Sequence, residues 1–285
     1  PDRIVVGEVR GAEVMDMLSE NISGSRDPVR SGGLDTPGVK IANVAAGLRT
    51  FAGDLRFDVR YEDWELLLKQ AMGAVSSSQT NGTAYTHAFT IANALPTGLT
   101  IEVFRDSDSF AGIDDGKAYI YTGCKVNSMA FESSVGAYLV CTASIIAKDE
   151  ARGTKTAGTL STGNLAVFTE GAFTYDGGTL NVESFQFTIN NNLDAAKTRL
   201  GAATIFEPTR SGKLEVTGSF TLDHDTFGRY DDFIASTTRK LVLTFTGNAI
   251  TGSTQSEKIT ITFNQVKLED FSADTDDPGE YREEI

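Results

Sequence analysis

Histidine is nearly absent from this 285-residue sequence: only His87 and His224 occur. They share no H-x-x-x-H spacing and have no neighbouring cysteine pair, so no zinc ligand set is legible. The only cysteines, Cys124 and Cys141, flank an expected hairpin with its tip at Ser134–Val135. A two-residue turn there leaves them offset rather than opposed, so free buried thiols in a reducing compartment are expected. Basic residues are also scarce, 25 against 39 acidic, for a net charge of −14. That balance excludes a surface gripping phosphates through Lys and Arg, though not one that nucleic acid slides past. Its simplest reading is solubility.

Long apolar runs are missing as well. LVCTASIIA (139–147) is the longest and suits a buried strand, not a bilayer span. No charged segment followed by an apolar core opens the chain at Pro1, so no secretion signal is expected from what is visible. Nucleotide and nucleophile motifs fail on spacing. SGKLE (211–215) has Leu214 where a phosphate loop needs Ser or Thr, and Glu207 where it needs Gly. GTLSTG (158–163) is not a nucleophile elbow. In DSDSFAGIDDG (106–116), Asp106 and Asp108 open like a calcium loop, but Phe110 and Ala111 stand where a ligand and a glycine belong. It reads as a solvated acidic loop, and DTDDPGE (274–280) as a turn around Asp277-Pro278-Gly279. No enzyme, metal site or cofactor is expected.

Strand signals fill the chain. In DLRFDV (54–59), Leu55, Phe57 and Val59 alternate with Asp54, Arg56 and Asp58. Further strands are expected at 85–91, 99–105, 118–131, 137–147, 180–189, 213–223, 239–247 and 258–271, all rich in Thr, Val, Phe and Ile. The closing YREEI reads as a strand beginning. Only two helices are expected. One is opened by Glu62-Asp63, carries Trp64, Leu67, Leu68 and Met72, and stops at Gly73; the other spans Thr226–Ser236 with Phe227, Tyr230, Phe233 and Ile234 as its stripe. Both stripes read as core-packing faces.

The chain repeats itself. FAGDLRFDVRYEDWELLLKQAMG, from residue 51, and VTGSFTLDHDTFGRYDDFIASTT, from residue 216, each run from a glycine step through an alternating strand and an acidic turn into a short amphipathic segment. Gly53 aligns with Gly218, Leu55 with Phe220, Phe57 with Leu222 and Asp58 with Asp223. The Gly/Thr/Ser-rich stretch 151–164 reads as a linker between two β domains, 1–150 and 165–285. Each domain has a long irregular loop just before its glycine-step strand, 23–40 and 190–212, and loops of that length usually bind or interlock something.

YEDWELLLKQAMGA (61–74), YTHAF (85–89), YTGCKVNSMAFE (121–132), VESFQFTINNN (182–192), EPTRSGKLEVTGSFTLD (207–223) and the segment Tyr230–Phe233, in this order, resemble the tail tube proteins of long-tailed bacteriophages. The resemblance runs from about residue 17 to about 271, nearly the whole chain. It implies a mainly β fold, two tandem tube-type β-sandwich domains each flanked by a short α-helix, and a non-catalytic structural role. It further implies rings that stack head to tail around a DNA-conducting channel, three two-domain chains replacing six single-domain ones. Implied partners are the chain itself, other tail proteins at the tube ends, and viral DNA passing without specific binding, with no membrane insertion. The implied location is the virion tail, assembled in the host cytoplasm. The loops become inter-ring contacts, with Arg26, Asp27, Arg30, Asp35, Lys197, Arg199, Glu207 and Arg210 as candidates. Asp54, Asp58 and Asp223 are either channel-facing or ordinary outward surface. The rival expectation is a β-sandwich carbohydrate- or receptor-binding module, which would cluster exposed aromatics on loops; a paired-carboxylate hydrolase ranks last.

Overall fold

The computed structural model describes residues 3–8, 11–30, 34–35, 40–41, 44–105, 117–158, 162–224, 226–277 and 280–284. The fold is mainly β and is organised by one strand, Lys117–Ser134, long enough at 18 residues to serve two sets of neighbours. Its first part lies between Leu99–Phe104 and Asp149–Thr154; its second part lies between Val140–Ala147 and Val182–Asn190. Beyond Val140–Ala147 the sheet continues into Arg49–Asp58 and then Ser19–Glu20 and Ser23–Arg26. Beyond Val182–Asn190 it continues into Glu215–Asp223, Glu280–Glu284 and Ser272–Asp277. The hairpin Arg3–Glu8/Gly11–Asp16 extends the Leu99–Phe104 side.

A four-stranded sheet, in the order Gly178–Leu180, Gly171–Tyr175, Arg239–Ala249, Ser256–Val266, packs on the second half of the large sheet. Aromatic rings make that contact: Phe173 and Phe245 meet Phe185 at 5.1 and 6.2 Å, and Phe263 meets Phe187 edge-on at 5.2 Å. Burial of such rings is the main favourable term, with offset and edge-on geometry adding to it. One hydrophobic cluster takes in residues from both halves, from Met15 through Phe131 and Phe187 to Leu268. Residues 151–154 of the expected linker belong to the strand Asp149–Thr154, because their backbone pairs with Lys117–Tyr119 and Ile120.

Two glycines set how closely strands approach. A Cβ on Gly53 would lie 2.4 Å from Ile22 Cα, and one on Gly218 would lie 2.6 Å from Gln186 O. Both obstacles are backbone, which cannot rotate away. Gly53→Ala and Gly218→Ala are each expected to lower stability by about 2 kcal/mol through strand displacement, read as a shift in the urea midpoint at unchanged slope.

Helix α1 (Glu65–Met72) begins two residues after Asp63, which has φ 69°, so the acid in its first turn is Glu65 rather than Glu62-Asp63. Leu67 and Ala71 are fully buried and Trp64 nearly so, while Gly73 (φ 103°) ends the helix by donating its N–H to Lys69 O. Helix α2 (Gly228–Ala235) departs from expectation. Phe233 packs on the core, but Phe227, Tyr230 and Ile234 are 70%, 42% and 65% exposed. The helix instead buries Arg229 and Asp232, and Asp232 is gripped by Arg239 through Nε at 3.0 Å and Nη2 at 2.8 Å.

Between α1 and Leu99–Phe104 stands the hairpin Gly73–Asn81/Ala84–Ile91, whose Ser-rich first strand carries no apolar alternation to announce it. The stretch 106–116, read as an acidic loop, lies outside the described residues, as do Pro278 and Gly279. Asp277 pairs with Glu280.

Candidate functional site

In an antiparallel sheet, residues directly opposed across neighbouring strands project from the same face. Following the register across five strands gives continuous rows. Asp58, Val140, Glu132, Gln186 and Ser219 form one, and Arg56, Thr142, Ala130, Thr188 and Thr217 the next. Asp54, Ser144, Ser128, Asn190 and Glu215 form a third. Ser134, Ser184 and Thr221 continue the face toward Asp223. The alternate rows are apolar: Phe57, Cys141, Phe131, Phe187 and Gly218, then Leu55, Ala143, Met129, Ile189 and Val216. Val126, Met129, Phe131, Cys141 and Ala143 are almost completely buried.

Asp54, Asp58 and Asp223, taken from two strands far apart in sequence, therefore share one polar face of one sheet. Small hydroxyl and amide side chains occupy most of the remaining positions. In these rows and at Asp223 the charged members are the carboxylates of Asp54, Asp58, Glu132, Glu215 and Asp223 and the guanidinium of Arg56, which pairs with Glu132 at 2.6 Å; Lys125, opposed to Ile146 on the same face, is buried against Glu207. Gln186 Nε2 donates to Ser219 Oγ at 3.2 Å along the same face. Reasoning on the sequence singled out the acids and missed Glu132 and the Ser/Thr/Asn rows. The alternation in VCTAS and SFQFTIN was the available signal.

The two long loops differ. Of the expected loop 23–40, residues 23–26 are instead a strand of the large sheet, paired with Arg49–Ala52; beyond it Val29–Arg30 pairs with Val44–Ala45 and Leu34–Asp35 with Lys40–Ile41. Arg26, Asp27 and Arg30 are exposed, with Val29 and Val44 more than 60% exposed beside them; Asp35 lies on a paired strand whose side chains are outside the described residues. The other loop folds back. Glu207 accepts from the buried Lys125 Nζ at 2.8 Å and from Gly98 N at 2.8 Å. Arg210 donates to Asn191 Oδ1 at 2.7 and 2.9 Å and to Ala92 O. Asn191, fully buried, donates in turn to Ala71 O and Val126 O. Glu207 and Arg210 thus brace the two halves of the chain internally. Arg199 lies over the Phe206 ring at 4.9 Å, and Lys197 O accepts from Phe206 N, leaving this tip with the fully exposed Leu200.

Among the described residues nucleophile chemistry finds no arrangement. Cys124 and Cys141 are free and buried; burial pushes the Cys124 thiol up to about 12 and the Cys141 thiol well above its usual value. Tyr121 is likewise raised to about 12, chiefly by burial. His87 bonds Ser77 Oγ on an exposed hairpin, and His224 meets the Phe227 ring edge-on. Among the described residues no group of three His, Cys, Asp or Glu converges as metal ligands, and no helix is long and apolar enough to cross a membrane. A cleft of about 960 Å³ between Glu215–Asp223 and the four-stranded sheet has a mixed lining, with Phe220, Leu243 and Phe263 beside Gln186, Lys267 and Glu269.

No curated protein matches the chain. The family model described as phage tail tube protein matches residues 18–280, spanning every row of the polar face, both helices and both long loops; the chain belongs to that family and is a structural component of a phage tail.

Proposed function

We propose that this chain is a fused pair of tube domains, 1–150 and 165–285, three copies of which close into a ring whose inner wall conducts viral DNA. The observation that carries this is the unbroken polar face with its matching strand order. Ser19–Arg26 lies beside Arg49–Asp58, then Val140–Ala147, then Lys117–Ser134. Val182–Asn190 lies beside Glu215–Asp223, then Glu280–Glu284, then Ser272–Asp277. The outer layers correspond too: a hairpin, then Leu99–Phe104 and the start of Lys117–Ser134, against a hairpin, then Arg239–Ala249 and Ser256–Val266. The hairpin Gly73–Ile91 is an addition to the first half.

Eight strands in line per copy give about 24 for three copies. At ~4.8 Å spacing and ~40° tilt they close a wall ~50 Å across between backbones, wide enough for a duplex. Closure also removes the free edges of Ser19–Arg26 and Ser272–Asp277, which would otherwise invite irregular association. Residual translation on stacking gives a tube. The paired segments Val29–Arg30/Val44–Ala45 and Leu34–Asp35/Lys40–Ile41 reach the neighbouring ring, as does the Lys197–Arg199 tip, and other tail proteins cap the ends.

A duplex passing a wall whose carboxylates outnumber its cations meets no counterion-releasing contact to hold it. The small hydroxyl side chains leave few long chains to snag it. Negative-stain microscopy of the purified protein is expected to show tubes or threefold rings; monodisperse monomers at every concentration would exclude the assembly. Replacing Asp54, Asp58 and Asp223 together by Lys is expected to leave tubes intact and to slow DNA release from assembled virions. Unchanged release would place these three residues outside the channel.

A further inference from the structure

We infer that the ring closes through a defined antiparallel seam, with Ser272 of one copy opposite Ser23 of the next and Glu269 beside Arg26. The inference rests on the ring proposed above and takes its register from the junction inside the chain, where Lys117–Ser134 of the first half pairs with Val182–Asn190 of the second.

Two equivalences fix the register. Asp58 opposes Val140, which opposes Glu132; Asp223 opposes Arg282, which opposes Asp274. Asp274 therefore corresponds to Glu132, and Ser272 to Ala130. On the other side, a side chain on Gly53 would strike Ile22, as one on Gly218 would strike Phe187. Ser23 opposes Ala52 and Thr188 opposes Thr217, so Ser23 corresponds to Thr188. Ala130 opposes Thr188 within the chain, and the same pairing between copies sets Ser272 opposite Ser23.

The surfaces suit this. Among the described residues, Ser23–Arg26 and Ser272–Asp277 each pair on one edge only, so each keeps a free row of backbone donors and acceptors. Ser23, Arg26, Glu269, Asp270 and Ser272 are all exposed. The register brings the Arg26 guanidinium against the Glu269 carboxylate, an opposite-charge contact between molecules that each carry a net −14. Ile22 interrupts the ladder within the seam, because its N–H donates to Glu20 Oε1 and its carbonyl accepts from Tyr121 Oη.

A chain carrying Ser23→Cys and Ser272→Cys tests the register, since opposed antiparallel residues fall within disulfide range. The native cysteines are buried and do not compete. Oxidised assemblies on non-reducing gels are expected to shift from single chains to covalent species of up to three, while Ser23→Cys with Asp270→Cys gives little product. Separately, Arg26→Glu is expected to abolish assembly with the circular dichroism spectrum retained, and Glu269→Arg added to it to restore assembly. Assembly by the wild type with no Ser23–Ser272 cross-link, or with preferential cross-linking at Asp270, would overturn the seam while leaving the tube reading standing. Failure of the wild type to assemble would remove both.

Discussion

Phe131→Ala is expected to lower the unfolding free energy by about 4 kcal/mol, the middle of the range for a buried aromatic. Phe131 is 2% exposed and sits on the strand shared by both halves. Its ring stacks on Phe187 of the second half at 4.9 Å and meets Trp64 of the first edge-on at 5.8 Å. Neither neighbour can follow the lost ring inward: Trp64 Nε1 is tied to Arg60 O at 2.8 Å, and Phe187 is held by Phe263 on its far side. The cavity therefore persists. Because the sheet and the core run through both halves, the loss is expected in a single cooperative transition. Urea unfolding followed by fluorescence of the only tryptophan and by far-ultraviolet circular dichroism should give coincident curves, both shifted. A second transition left unmoved would show that the halves unfold independently and that Phe131 serves only one of them.

The second large effect is expected at the internal brace. Glu207→Ala strands the ammonium of Lys125, which is 4% exposed, and is expected to cost about 3 kcal/mol. Lys125→Met, which removes the buried charge itself, is expected to cost less than about 1 kcal/mol, since an apolar side chain of similar length fills the same space. Equal losses in the two variants would contradict this account. The pair also sets a pH dependence. Burial works to raise the Glu207 carboxyl, but hydrogen bonds from Lys125 and Gly98 N, with the attraction of Lys125, outweigh it and hold the group below its ordinary value. A carboxyl depressed on folding adds stability that is present above its unfolded pKa, about 4.3, and lost as pH falls through the folded value. Acid titration of Lys125→Met should show a smaller increment, since only the Gly98 N–H bond and the more distant Lys148 still favour the Glu207 carboxylate. Asp232, held low first by its hydrogen bonds from Arg239, adds a loss of the same sign in both proteins.

The strands were readable wherever one face was buried and the other wet. DLRFDV, SFQFTIN and LVLTFTG announce their inward residues by alternation alone, and Gly73 announces the end of α1. The Ser-rich strand Gly73–Asn81 was not readable, because both its faces are exposed and nothing selects a period of two. The stripe of α2 was readable as amphipathic but misleading about burial. Periodicity reports which residues share a face, whereas the sheet geometry around Arg239 decides how much of that face is covered.

The same division holds for the site. Composition spoke against metal and nucleophile chemistry, the glycine-step strands read as a repeat, and the acids at 54, 58 and 223 stood out on polar alternation. All of that follows from local periodicity and residue chemistry, which a linear sequence carries in full. That Asp58 and Ser219 stand in one row across five strands, that Glu132 and Arg56 join them, and that Glu207 and Arg210 turn inward were decided only by the tertiary structure. Strand order and register depend on which backbone edges meet after the chain has folded back over more than a hundred residues, and no local pattern encodes that distance.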